Sequence, residues 1–252
     1  MKIAVVTGAS SGMGREFVYA TDKAFSLDEI WVIARRKERL EELQANCKTK
    51  IRPIALDLLD PQSYTTYQAM LEEAQPEIKV LINNAGFGLF GEFIKLDLKK
   101  QLDSIDLNAK ALTAFCHLSI PYMPEDSHLI NLASNSSWQP VPYINVYGST
   151  KAYVINFSRA LGVELKSRNI HVMAVAPGWI QTEFFDHAVT DDTIKYYDRF
   201  YTAKQVVDKA MKDLNKKKTV SIMGFPVRMQ VRMVKLLPAK WIMKIWCKQQ
   251  GK

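Results

Sequence analysis

Lys2-Ile3-Ala4-Val5-Val6-Thr7-Gly8-Ala9-Ser10-Ser11-Gly12-Met13-Gly14 is the stretch that decides the fold. Residues 2–7 are a short apolar, β-branched run, which reads as a buried parallel strand. Arg15-Glu16-Phe17-Val18-Tyr19-Ala20 reads as a helix. Strand, glycine-rich turn and helix in that order make a phosphate cradle. Gly8 permits the tight turn, Gly12 lets backbone approach a pyrophosphate, and Gly14 lets the helix pack close to the sheet. The helix N-terminus then offers its unpaired N–H groups to the anion. The spacing is G-x-x-x-G-x-G, not the commoner G-x-G-x-x-G.

Outward from this segment the chain alternates regularly. Strands are predicted at 2–7, 30–34, 51–56, 79–83, 127–133, 170–176 and 219–223. Helices are predicted near 12–25, 36–47, 61–74, 98–121, 146–167 and 203–215. Alternation without hairpin signals implies a parallel sheet with helices on both faces. The handedness of crossovers then favours an α/β, doubly wound Rossmann fold with a seven-stranded parallel sheet, in a single domain. Residues 1–225 are assigned to it, with a substrate loop at 179–202, and residues 226–252 to a basic amphipathic helical extension.

Composition agrees with this. A chain of 252 residues with 48% apolar and 24% charged content buries a large core without disulfides. The cysteines, Cys47, Cys116 and Cys247, have no C-x-x-C spacing, which predicts a reducing, cytoplasmic setting and no structural zinc. The histidines at 117, 128, 171 and 187 are isolated, so each reads as a surface or core residue and no metal is expected. No stretch has the pattern of a signal peptide. None approaches the ~20 apolar residues of a membrane span.

Four further segments carry chemistry. Asn83-Asn84-Ala85-Gly86 follows a strand, Asn108 lies in a helical stretch, and Ser134 precedes Tyr147 by thirteen positions. Lys151 stands four residues after Tyr147, on the same helix face. A tyrosine, with a pKa near ~10, is a poor acid-base catalyst at neutral pH, and a nearby ammonium is expected to lower that pKa. Pro177-Gly178, followed by Thr182, completes the set.

On these motifs the chain resembles the short-chain dehydrogenase/reductase family. Thr7 to Gly14 matches its TGxxxGxG motif, Asn83 to Gly86 its NNAG motif, and Pro177 to Thr182 its PGxxxT segment. Asn108, Ser134, Tyr147 and Lys151 match its catalytic tetrad in order and spacing. The resemblance implies Tyr147 as general acid/base, Ser134 holding the substrate oxygen, and Lys151 binding the nicotinamide ribose. Asn108 is implied to hold a water that links Lys151 to solvent. Ser136 is the runner-up for the serine role. The implied cofactor contacts are Gly8, Ser10, Ser11, Gly12, Met13, Gly14, Asp57, Leu58, Asn84, Ala85, Gly86, Tyr147, Lys151, Pro177, Gly178, Ile180 and Thr182. Asp57 reads equally as a helix cap before Pro61.

Cofactor choice follows from Ala34-Arg35-Arg36. A site for NAD needs a carboxylate at the end of the second strand. Two guanidinium groups stand there instead, ready to bind a 2′-phosphate. NADP(H) is therefore preferred over NAD(H), with Arg35 the leading contact, Arg36 second and Ser10 a helper.

Phe87, Leu89, Phe90, Trp138, Tyr143, Trp179, Phe184 and Phe185 read as an apolar substrate wall, and Tyr196, Tyr197, Phe200 and Tyr201 as aromatics of a mobile lid. The expected substrate is a hydrophobic ketone or alcohol of steroid, bile-acid, fatty-acyl or aromatic type, contacted by Ser134, Ser136, Trp138, Tyr143, Trp179, Phe184 and Phe185. The alternative function is a cofactor-binding regulatory or scaffold protein of the same fold without turnover. A homodimer or homotetramer is implied by the resemblance.

From residue 203 onward there are thirteen Lys/Arg and two acids, so +11 there leaves −3 for the rest of a chain whose net charge is +8. Arg228, Arg232 and Lys235, then Lys240, Lys244 and Lys248, recur at helical spacing in two segments broken at Pro238. Packing of these segments on the domain, on a partner chain or at the substrate mouth is favoured over contact with an anionic membrane surface. Nucleic-acid binding is not expected, since no recognition motif accompanies the charge.

Overall fold

The structure is a computed structural model and describes residues 1–189 and 191–252. The side chain of His187, and the part of the 179–202 loop at residue 190, lie outside the described residues. Among the described residues, nine strands and ten α-helices follow in chain order. The strands are β1 (Lys2–Thr7), β2 (Glu29–Ala34), β3 (Lys50–Ala55), β4 (Glu77–Asn83), β5 (His128–Leu132), β6 (His171–Val175), β7 (Trp179–Gln181), β8 (Phe200–Thr202) and β9 (Val220–Ser221). The helices are α1 (Gly12–Ala24), α2 (Lys37–Glu41), α3 (Gln62–Ala74), α4 (Leu98–Ile105), α5 (Leu112–Ser119), α6 (Asn145–Glu164), α7 (Phe184–Ala188), α8 (Ala203–Asn215), α9 (Phe225–Val234) and α10 (Ala239–Gln249).

Seven strands form one parallel sheet in the order β3-β2-β1-β4-β5-β6-β9. Strand order reverses between β1 and β4, so the crevice beyond their carboxyl ends is the ligand position of a doubly wound sheet. Successive residues of a strand face opposite sides. Ile3 and Val5 therefore pack with Tyr67, Phe115 and Val154 on one face, while Ala4 and Val6 pack with Phe17, Val18 and Leu214 on the other. Each such buried aliphatic or aromatic side chain stabilises the fold by roughly 1.5–3 kcal/mol. Asn83 and Asn131 brace β4 to β5 through a 2.9 Å amide bond, and Asn131 goes on to Ser158 of α6 at 3.0 Å.

Two features depart from the sequence expectation. The segment read as a loop at 179–202 holds a short parallel pair, β7 with β8, and helix α7. The helix predicted over 98–121 is interrupted by a π-helical stretch at Asp106–Ala111. Among the described residues no helix is long and apolar enough to cross a membrane, and no group of His, Cys, Asp and Glu could hold a metal ion.

Candidate active site

The glycine-rich turn is locked by steric necessity. Gly8 and Gly12 have φ of +66° and +53°, the left-handed region that other residues enter at a cost. A Cβ on Gly14 would lie 2.1 Å from the Gly8 carbonyl oxygen, so only glycine lets α1 begin this close to β1. Thr7 Oγ1 accepts from the backbone N–H of Asn84 and of Ala85, both at 3.1 Å. The Asn84 amide in turn donates to the Thr7 and Gly8 carbonyls. Ser11, the N-cap of α1, makes no side-chain cap bond, and the first turn carries no acid. The cradle fits a pyrophosphate: its amides and positive helix end remain available to an anion.

Arg36, not Arg35, reaches this turn. Its guanidinium donates to Ser10 Oγ at 3.0 Å and Ser11 Oγ at 3.1 Å. Arg35 is exposed. Adjacent residues of extended backbone point to opposite sides, and Arg36, the extended N-cap of α2, takes the inward one. A carboxylate not singled out from the sequence completes the cluster. Glu183 accepts from Arg36 at 2.9 Å and also pairs with Arg39. Those two guanidiniums hold the Glu183 carboxyl below its ordinary range. Nothing in the sequence signals a partner 147 residues away.

Asn108 sits in the π-helical stretch, a distortion that re-aims a helix face. It is fully buried. Its Nδ2 donates to Phe87 O at 2.8 Å, Thr150 Oγ1 at 3.1 Å and Ser104 Oγ at 3.2 Å, and its Oδ1 accepts from Phe87 N at 3.1 Å. The side chain thus clamps the Asn84–Phe87 turn to α6. The amide hydrogens are taken up by these protein partners, while Oδ1 keeps a second acceptor position. Gly86 is required beside it, because a Cβ there would lie 2.6 Å from Asn108 Oδ1 and 3.3 Å from Lys151 Nζ.

Tyr147 and Lys151 share a face of α6, with Lys151 Nζ 5.7 Å from the Tyr147 ring centroid. The ammonium donates to the Leu132 carbonyl at 2.7 Å. Burial pushes the Tyr147 phenol up to about 12, and the Ser134 hydroxyl pulls it only partly back. Burial alone pushes Lys151 down to about 8. Desolvation, rather than the lysine charge, therefore dominates the tyrosine, which reverses the sequence expectation. Ser134 caps the short 3₁₀ turn Asn135–Trp138: its Oγ accepts from Ser136 N, and Ser137 Oγ accepts from Ser134 N, both at 3.2 Å. Ser136 Oγ is buried with no hydrogen-bond partner among the described residues.

These groups floor a cavity of about 520 Å³. Met13, Asn84, Gly86, Pro177, Gly178, Ile180 and Thr182 border it near the glycine-rich turn. Ser134, Ser136, Trp179, Phe184 and Phe185 border it as well. Phe90 centres the aromatic wall, with its ring 6.3 Å from Tyr147 and 5.9 Å from Trp179.

Trp138 and Tyr143 do not line the cavity. Trp138 packs on the core beneath Arg159 and Lys235, and Tyr143 lies under Lys252. Asp57 and Leu58 also lie away from it. The Asp57 carboxylate accepts from Leu59 N at 3.1 Å as a turn cap, and Leu58 is a core residue. The roof comes from the C-terminal helices, for which the substrate mouth was one of the expected packing sites: Met229 and Met233 of α9, Ile245 and Trp246 of α10. The amphipathic spacing of 226–250 is the signal that could have found them. Trp246 donates to the Pro142 carbonyl at 3.0 Å, Asn135 donates to Gln230 at 3.1 Å, and buried Gln250 accepts from Lys195 N and Tyr196 N.

Residues 2–193 match the family profile described as short chain dehydrogenase. Sulfoacetaldehyde reductase 2 of Chromohalobacter salexigens is 34% identical over 191 residues, covering 72% of this chain and 74% of that protein. Among solved structures, a short-chain dehydrogenase from Sphingobium yanoikuyae in complex with NADPH is 25% identical with a TM-score of 0.79, over 97% of this chain and 96% of that one. The bulky-bulky ketone specific alcohol dehydrogenase from Comamonas testosteroni is also 25% identical, with a TM-score of 0.77 over 94% and 91% of the two chains.

Proposed function

The chain belongs to the short-chain dehydrogenase family of NAD(P)-dependent oxidoreductases acting on alcohol and carbonyl groups, and on that premise we propose that it reduces a bulky apolar ketone to the secondary alcohol with NADPH in the cytoplasm. One observation carries the reading: Tyr147, Ser134 and Lys151 meet at the floor of a cavity whose remaining walls are mostly aromatic and aliphatic. The ketone specificity named for the Comamonas relative supports a bulky substrate. The Arg36 guanidinium against Ser10 and Ser11, together with the NADPH bound by the Sphingobium relative, supports the phosphorylated cofactor.

The cofactor supplies the hydride when bound. The protein's own work is positional and electrostatic. The α1 N-terminus and Gly12 would receive the pyrophosphate, Arg36 a 2′-phosphate, and Thr182 the carboxamide end. Ser134 Oγ donates to the ketone oxygen and holds it beside the phenol. Tyr147 would give that oxygen its proton, a contribution of about 10²–10⁴-fold. Lys151 would hold the ribose, and it places positive charge near the phenolate that would remain. The aromatic wall excludes water and selects apolar substituents.

A second apolar surface on the loop before α4 and on α4 and α6, with Phe93, Ile94, Leu98, Leu102, Tyr153 and Val163 exposed, supports a homodimer or homotetramer.

The test is NADPH oxidation with a panel of bulky ketones, beside a Tyr147→Phe control. Turnover that the substitution abolishes is expected. Tight NADPH binding without turnover in either direction would leave a regulatory role for the fold, and absence of nicotinamide binding would overturn the assignment.

A further inference from the structure

We propose that α9 and α10 form a docking surface for an anionic lipid bilayer, seated so that the cavity mouth opens against the membrane. From the start of α9 to the last residue there are seven basic side chains and no acid: Arg228, Arg232, Lys235, Lys240, Lys244, Lys248 and Lys252. The same helices leave large apolar side chains in solvent. Leu236 is 85% exposed and Trp241 61% exposed, and Phe225, Met233 and Ile245 are also exposed.

The helices already pack on the body. Val227 and Val231 of α9 and Ile242 of α10 are buried. The expected packing at the substrate mouth therefore accounts for one face only, and the exposed Phe225, Leu236 and Trp241, which do not border the cavity, are additional to it. At 3.6 residues per turn, Phe225, Met229 and Met233 fall in a stripe on one side of α9, with Leu236 just past its C-terminal end, and Met229 and Met233 also border the cavity. Arg228, Arg232 and Lys235 lie to one flank of that stripe, and the cavity-lining Pro226, Gln230 and Leu237 to the other. On α10 the order repeats. Lys240, Lys244 and Lys248 come first, then Trp241 and Ile245, of which Ile245 also borders the cavity, then the cavity-lining Ile242 and Trp246. Both helices thus present a basic row, an apolar row and the cavity rim in sequence. A helix lying in a bilayer interface has this distribution, with the apolar row in the acyl boundary, tryptophan at headgroup depth and the cations against anionic lipid.

A second copy of the chain is the poorer occupant. A two-fold contact would bring seven uncompensated cations of each protomer together. Docking itself does not depend on the reaction. Delivery of a membrane-dissolved ketone to the cavity does rest on the proposed function.

The experiment is flotation of the full chain with phosphatidylglycerol/phosphatidylcholine vesicles and with phosphatidylcholine alone. It uses the wild type, Leu236→Ser/Trp241→Ser and Lys240→Glu/Lys244→Glu. None of these four residues borders the cavity, so melting temperature and NADPH affinity serve as fold controls. The wild type is expected to float with the anionic vesicles and to be released by high salt. Each double variant is expected to lose at least about tenfold in partitioning. The proposal is overturned by a wild type that stays with neither vesicle, or by variants that float as well as the wild type. It is equally overturned if sedimentation shows a dimer that the Leu236→Ser/Trp241→Ser variant dissociates. Flotation reads lipid contact whether or not any ketone turns over, so its failure and failure of the reductase reading are separate results.

Discussion

Glu183 occupies the guanidinium that the 2′-phosphate of NADP(H) would use, and removing its charge should therefore tighten NADP⁺ binding. The carboxylate pairs with Arg36 at 2.9 Å and with Arg39, all three side chains being about 40% exposed. An exposed pair contributes about 0.2–1 kcal/mol, so two pairs oppose the incoming phosphate by roughly 0.5–2 kcal/mol. Its two arginine partners hold Glu183 below the usual carboxylate range, so the competitor stays ionised at any neutral pH. Glu183→Gln keeps the side-chain shape and removes the charge. Calorimetric titration should show NADP⁺ bound roughly 2- to 30-fold more tightly at low salt, with the gain shrinking at high salt. NAD⁺, which has a hydroxyl at that position, should change less than about 2-fold. Equal tightening for both cofactors would place Glu183 on a part of the molecule they share. Weaker NADP⁺ binding would mean that Glu183 orients Arg36 rather than competing for it. Either result refutes the reasoning.

Lys151→Met should abolish turnover yet stabilise the protein at neutral pH. Lys151 is protonated in the folded and unfolded states below about 8, so the burial cost is fully present there. Between about 8 and its unfolded value of 10.5 the unfolded chain binds more protons, and wild-type stability rises with pH by roughly 3 kcal/mol. Melting curves of the variant should lack that rise; an identical pH profile would contradict the burial argument. Gly14→Ala should lose cofactor binding and destabilise the fold by roughly 2 kcal/mol or more, since its Cβ meets backbone at 2.1 Å. A variant that still binds NADPH with wild-type affinity in a fluorescence titration would remove the steric account of the turn. With the Tyr147 phenol pushed up to about 12, ketone reduction should be flat in pH through neutrality while alcohol oxidation rises with pH. A reductive rate that falls before pH reaches about 8 would argue against Tyr147 as the acid.

The sheet was legible because most of its strands are short apolar runs bounded by turn residues. Lys2–Thr7 is a clear case, and its flanking glycines mark the turn as well as the strand. The β7–β8 pair was not, because Trp179–Gln181 and Phe200–Thr202 are three-residue strands with no alternation to detect. The π-helical stretch at Asp106–Ala111 was invisible for a different reason. It changes backbone bonding by one residue while the apolar spacing around it still reads as helix.

At the site, spacing located the residues while packing determined what they do. Thirteen positions between Ser134 and Tyr147 bring both to one cavity, whereas Trp138, equally aromatic and nearer to Ser134, turns into the core beneath two cations. The same distinction governs the acid. A lysine one turn from a tyrosine suggests a depressed phenol pKa, but Lys151 gives its ammonium to Leu132 O and the phenol is enclosed. Desolvation moves the two groups in opposite directions, tyrosine up and lysine down, because each loses the water that stabilised its charged form. The phenol therefore stays protonated across neutral pH. A protonated phenol beside a ketone oxygen is prepared to donate and poorly prepared to accept, so the resting electrostatics favour reduction. That preference is independent of the Arg36 argument for NADPH, and both point to the same direction of reaction.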